Sequence, residues 1–123
     1  MTTMGKKYQK RAADLIQTHL TDLLQKQVND PRVQMVTITG VEVTPDATRA
    51  HVYFTVLGDE TRQAEATAGL QSAAGFLRRE LGHRLRLRNT PELVFHWDSS
   101  IERGERIAGL IDRLREEGTS GNE

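Results

Sequence analysis

The feature that most constrains this chain is a run of strict alternation. From Arg49 to Leu57, Ala50, Val52, Phe54 and Val56 take one parity, and Arg49, His51, Tyr53 and Thr55 take the other. A strand of period two with one apolar face has to bury that face. Upstream, Val33 to Val43 is rich in β-branched residues and reads as a second strand. Its apolar phase is even at Val36 and Ile38 but odd at Val41 and Val43. One extra residue swaps the faces of a strand, so a β-bulge is expected near Gly40. Thr44-Pro45-Asp46-Ala47-Thr48 supplies turn chemistry between the two strands. The pair is expected to form an antiparallel hairpin with one buried face.

Helical spacing surrounds the hairpin. Tyr8, Ala12, Leu15, Ile16, Leu20, Leu23, Leu24 and Val28 describe one apolar stripe. That helix should stop near Asn29-Asp30, because Pro31 disfavours helical geometry in the residue before it. After Gly58, Asp59 is placed to cap a helix whose small residues, Ala64, Ala66, Ala68, Ala73 and Ala74, let it lie close on the sheet. Gly75 weakens a helix interior, so a bend is expected there. A second helix would follow, with Phe76, Leu77, Leu81 and Leu85 as its stripe. Its end is blurred, since Arg84-Leu85-Arg86-Leu87-Arg88 also alternates. Beyond Asn89-Thr90-Pro91, Leu93, Phe95 and Trp97 alternate with Val94, His96 and Asp98 as a third strand. Its helical crossover favours parallel pairing with one of the first two strands, giving a mixed sheet. Ser99-Ser100-Ile101-Glu102 has capping-box spacing, and Ile101, Ile107, Leu110, Ile111 and Leu114 give a last helix its stripe. The expected organisation is a flexible segment 1–7, one α+β domain over 8–115 and a disordered tail 116–123.

Charge is balanced overall, with 17 Lys and Arg against 17 Asp and Glu. Attraction to a polyanion must therefore come from a local patch. Such a patch exists in the sequence: Arg78, Arg79, Arg84, Arg86 and Arg88 stand against a single acid, Glu80. Lys6, Lys7, Lys10 and Arg11 crowd the start of the first helix as a secondary basic arm. Arginine suits phosphate because its planar fork holds two oxygens and its face stacks on bases.

Other chemistries find little support. The absence of cysteine excludes disulfides, thiolate metal sites and cysteine nucleophiles. No apolar run is long enough to span a bilayer or to act as a signal peptide, so a cytoplasmic chain with no membrane partner is expected. His19, His51, His83 and His96 show no His-x-x-x-His pair on one helix face, and His96 with Asp98 offers two ligands at best. Asp98-Ser99-Ser100 is explained as a helix cap rather than a nucleophile. There is no glycine-rich phosphate loop. No catalytic residue, metal or cofactor is expected. A protein-interaction module and a small α+β hydrolase remain as alternative readings.

The order helix, strand, strand, bent helix pair, strand, helix resembles a type II KH domain with a C-terminal helix added. A KH domain carries a GxxG loop between its paired helices. Here Ala73-Ala74-Gly75 stands at that place, an Ala-x-Gly elbow. With Asp30-Pro31-Arg32-Val33, the run Val36 to Val43, Pro45-Asp46, Arg49 to Tyr53, Gly75-Phe76-Leu77-Arg78, Leu85 to Arg88, Pro91-Glu92-Leu93 and Phe95 to Glu102, the chain resembles the ribosome-binding factor A family over about residues 8 to 114. The resemblance implies a monomeric, non-enzymatic assembly factor tied to cold adaptation. It would bind the free small (30S) ribosomal subunit late in maturation of 16S rRNA, near the 5′ region, with ribosomal proteins as further contacts. It implies that the basic helix after the elbow faces rRNA.

Overall fold

A computed structural model of the protein describes residues 5–99. The capping box, the last apolar stripe and both expected flexible ends lie wholly or mainly outside those residues. The elements run α1 (Lys6–Lys26), a 3-10 turn (Pro31–Val33), β1 (Thr37–Val43), β2 (Arg49–Thr55), α2 (Glu60–Leu85) and β3 (Glu92–Trp97).

The sheet has the order β1-β2-β3, antiparallel between the first pair and parallel between the second. This is the mixed sheet that the crossover implied. The register shifts between Ile38 and Gly40, so the bulge falls where the apolar phase flips. It lets Ile38 face Phe54 while Val41 faces Val52 and Val43 faces Ala50. The turn is closed by Asp46, whose Oδ1 accepts from Thr44 Oγ1 (2.8 Å), Thr48 N (3.1 Å) and Thr48 Oγ1 (2.8 Å). These bonds hold the Asp46 carboxyl below its ordinary value.

Both helices pack on the apolar sheet face. Ala13, Ile16, Leu20, Leu23 and Leu24 of α1 meet Ala50, Val52 and Phe54 of β2 and Ala66, Leu70, Leu77 and Leu81 of α2 in one core. The buried stripe of α1 is narrower than expected: Tyr8 and Leu15 are exposed, because Ala13 rather than Leu15 lies on the axis set by Ile16 and Leu20. The helix also ends at Lys26, short of Asn29. Residues 33–36 are not strand. Asp30 caps the 3-10 turn through Arg32 N (2.9 Å) and holds the Arg32 guanidinium at 2.8 Å. The second strand stops at Thr55, leaving Leu57 exposed. α1 also guards the free edge of the sheet: Gln9 Nε2 donates to Val43 O (2.9 Å) and Gln17 Nε2 to Ile38 O (3.1 Å).

The largest departure concerns α2. Where the sequence suggests two helices meeting at Ala73-Ala74-Gly75, the structure carries one helix of 26 residues, unbroken at Gly75. The reason is a continuous stripe. Ala66, Leu70, Ala73, Leu77 and Leu81 step by four, three, four and four along a single face. That shared burial offsets the roughly 1 kcal/mol that a glycine costs a helix interior. Asp59 caps the start, accepting from Arg62 N at 3.1 Å.

Candidate nucleic-acid interface

The five arginines of the second half of α2 and the loop after it do not share one fate. Arg84 turns inward against α1. Its Nη1 lies 2.8 Å from Asp22 Oδ2 and 3.4 Å from His19 Nδ1, and its side chain is only 23% exposed. Asp22 also meets Lys26 Nζ at 2.9 Å. Hydrogen bonds from Lys26 and then Arg84 hold the Asp22 carboxyl below its ordinary value. Arg84 therefore ties α2 to α1 and is largely turned away from solvent.

Arg78 is exposed but engaged. Its Nε and Nη2 both donate to the carbonyl of Thr90, at 3.1 and 2.9 Å. This fastens the loop after α2 back onto the helix. Arg79, Arg86 and Arg88 are exposed, and among the described residues no carboxylate lies within ion-pair distance of any of them. Glu80, the one acid in the segment, is 3.9 Å from His83 Nδ1. Among the described residues, three guanidinium groups near the end of α2 and in the loop that follows thus have no carboxylate partner.

The helix end itself explains why the alternating tail is not a strand. Arg86 adopts the left-handed conformation (φ 53°, ψ 43°), and both its own N–H and that of Leu87 (3.3 Å) donate to Gly82 O. The bond from Leu87 closes a Schellman motif, which ends a helix sharply.

The basic start of α1 is a separate feature. Lys6, Lys7, Lys10 and Arg11 are all exposed; Lys10 lies 3.7 Å from Asp14, and the Arg11 guanidinium sits 6.0 Å from the Tyr8 ring centre. Arg84 meets α1 at Asp22, about 16 Å of helix beyond Arg11. No described contact joins the two basic groups. At the expected elbow, a Cβ added to Gly75 would meet only Arg79 Nη1, at 3.9 Å. Packing does not require glycine there. It does at Gly69, where a Cβ would sit 2.8 Å from Val33 Cγ1, and at Gly82, where it would sit 2.6 Å from Thr90 Oγ1. Neither position stood out in the sequence, since both partners lie outside the helix.

The histidines pair in a way that sequence parity alone did not predict. His51 Nδ1 lies 2.9 Å from His96 Nε2 across β2 and β3, and the His96 ring stacks on Tyr53 at 5.1 Å. Asp98 is buried and accepts from Thr39 Oγ1 at 2.6 Å. His96 and Asp98 thus each have another partner, and among the described residues no three potential ligands gather to hold a metal ion.

Comparison with known proteins bears on this arrangement. A sequence profile of the family described as ribosome-binding factor A matches residues 8–111. A ribosome-binding factor A of Thioalkalivibrio sulfidiphilus is 53% identical over 103 residues, covering 84% of this chain and 80% of that protein. One from Trichlorobacter lovleyi is 48% identical over 120 residues, covering 98% and 94%. The crystal structure of ribosome-binding factor A from Thermus thermophilus has a TM-score of 0.55 at 24% identity, over 76% of this chain and 96% of that one. A Thermus thermophilus ribosome-binding factor A model fitted into a cryo-EM map of a 30S complex has a TM-score of 0.51 at 25% identity, over 69% and 93%. The likeness in sequence runs along nearly the whole chain, and the protein belongs to the ribosome-binding factor A family.

Proposed function

We propose that this protein binds the free small ribosomal subunit and assists late maturation of 16S rRNA near its 5′ region. It acts as a monomeric, cytoplasmic and non-catalytic assembly factor, with a part in growth at low temperature. The reading is supported by a relative of the same family placed in a 30S complex. The observation that carries it on this chain is the set of exposed, unpaired arginines, Arg79, Arg86 and Arg88, at the end of a helix held by the core. Lys6, Lys7, Lys10 and Arg11 supply a second, separate contact, and Arg78 and Arg84 hold the scaffold. Each phosphate that an arginine neutralises releases condensed counterions, so affinity falls steeply with salt.

The test is co-sedimentation of the protein with free small subunits across a salt series. Binding should weaken on a linear log–log plot, and the Arg79→Ala, Arg86→Ala, Arg88→Ala triple variant should bind at least tenfold more weakly with a shallower slope. Salt-independent binding, or a folded triple variant that binds like the wild type, rejects electrostatic docking by this helix end.

A further inference from the structure

Residues 86–91, between α2 and β3, are fastened at both ends and at Thr90. At the helix end, Gly82 O takes the N–H groups of Arg86 and Leu87. In the middle, Arg78 donates twice to the Thr90 carbonyl. Thr90 in turn lies so close to α2 that a Cβ at position 82 would fall 2.6 Å from its Oγ1. At the far end Pro91 is buried and Glu92 N donates to Thr48 O at 2.9 Å. What this fastened loop presents outward is Arg86, Arg88 and Asn89, all exposed.

Arg86 is the informative residue. It is one of two non-glycine residues with positive φ among those described, and it occupies the position where helices of this type usually carry glycine. Every side chain with a Cβ is strained there. Cations near a helix C-terminus are favoured by its dipole, but Lys or Arg anywhere in the last turn satisfies that, and Arg84 already does. The dipole therefore does not explain an arginine at the strained position itself. Strain retained at one exposed position of a loop anchored at both ends and at Thr90 points to use of the side chain.

We infer that residues 86–91 form a pre-shaped clasp for RNA sugar-phosphate backbone. Arg86 and Arg88 are its contacts, and Arg78, Gly82 and Thr90 are the residues that position them. This rests on the rRNA-binding reading above and adds to it a division of labour. Arg78 acts by holding Thr90 rather than by touching phosphate. Gly82 matters for binding although it carries no side chain.

The experiment compares four variants with the wild type in the salt-series co-sedimentation with free small subunits, with thermal unfolding measured alongside. Gly82→Ala, which pushes Thr90 off the helix, should bind several-fold more weakly. Adding Thr90→Ala removes the colliding oxygen and should restore binding. Arg86→Gly should melt at or above the wild-type temperature yet bind more weakly, with a salt slope lower by roughly 0.7 to 0.9 for one phosphate lost. The Arg79→Ala, Arg86→Ala, Arg88→Ala variant is the control for the underlying reading. If that control binds normally, the docking surface itself is wrong. If the control is weakened while Gly82→Ala and Arg86→Gly bind like the wild type, the clasp alone is overturned. Should Gly82→Ala not fold, Arg86→Gly decides, since it relieves strain: normal binding overturns the clasp, and weakened binding at undiminished stability supports it.

Discussion

At Gly69 and Gly75, two glycines of one helix, the same substitution should have opposite effects. A Cβ at Gly69 would collide with Val33 Cγ1 at 2.8 Å and crowd Arg32 Cβ at 3.1 Å, and Val33 is buried. Gly69→Ala should cost about 1–3 kcal/mol, as overpacking does in a close-packed site. Gly75→Ala makes only an ordinary contact with Arg79 Nη1 and removes a flexible residue from a helix interior, so it should add about 0.5–1 kcal/mol. Thermal unfolding of the two variants checks both signs. Subunit binding by Gly75→Ala is the further readout: weaker binding at raised stability would support a working elbow at Ala73-Ala74-Gly75. Among the described residues, three carboxylates contribute to the response to acid. Asp22, Asp30 and Asp46 are all held below their ordinary value, by Lys26 and Arg84, by Arg32, and by Thr44 and Thr48 respectively. A depressed folded-state pKa gives stability that is present above about 4, the unfolded value, and lost as pH falls through the folded one. The melting temperature should therefore drop as pH is lowered below about 4, and Asp30→Asn or Asp46→Asn should flatten that drop. At this scale the caps were legible. Asp46 and Asp59 act on residues two or three positions away. Gly69 and Gly82 were not legible, because what makes them necessary is the approach of Val33 and Thr90 from elsewhere.

At the scale of elements, strands were read more surely than helices. Alternation in β2 fixed which residues face the core, and the phase flip in β1 placed the bulge, because a period of two tolerates no slippage. At α2 the glycine was read as a boundary between two helices, whereas one helix runs through it and the core stripe keeps its phase. A direct consequence is that Leu77, beyond Gly75, belongs to the same core as Leu70 before it. Leu77→Ala should destabilise the whole domain by about 2–5 kcal/mol in a single transition, as deletion of a fully buried side chain does. Urea unfolding with coincident helix and Trp97 signals would show this. A two-step transition would mean that the segment after Gly75 unfolds by itself.

For the whole molecule, function turns on how a chain of zero net charge distributes its cations. Arg84 is consumed in joining α2 to α1, and Arg78 in fixing the loop that follows. Arg84→Met should loosen that helix–helix contact and lower the melting temperature, while subunit binding measured well below the transition keeps its salt slope. A reduced slope would show that Arg84 reaches phosphate after all. The sequence by itself determined the element order, the faces of the strands, the bulge, the turn and the helix start, since each depends on periodicity or on hydrogen bonds that span a few residues. Only the tertiary structure decided which arginines remain available. The partners that remove them, Asp22 for Arg84 and Thr90 for Arg78, lie 62 and 12 residues away. His51 meets His96 across 45. A charge read from the sequence is a capacity for contact, and long-range packing determines whether it is spent inside the protein or left for another molecule.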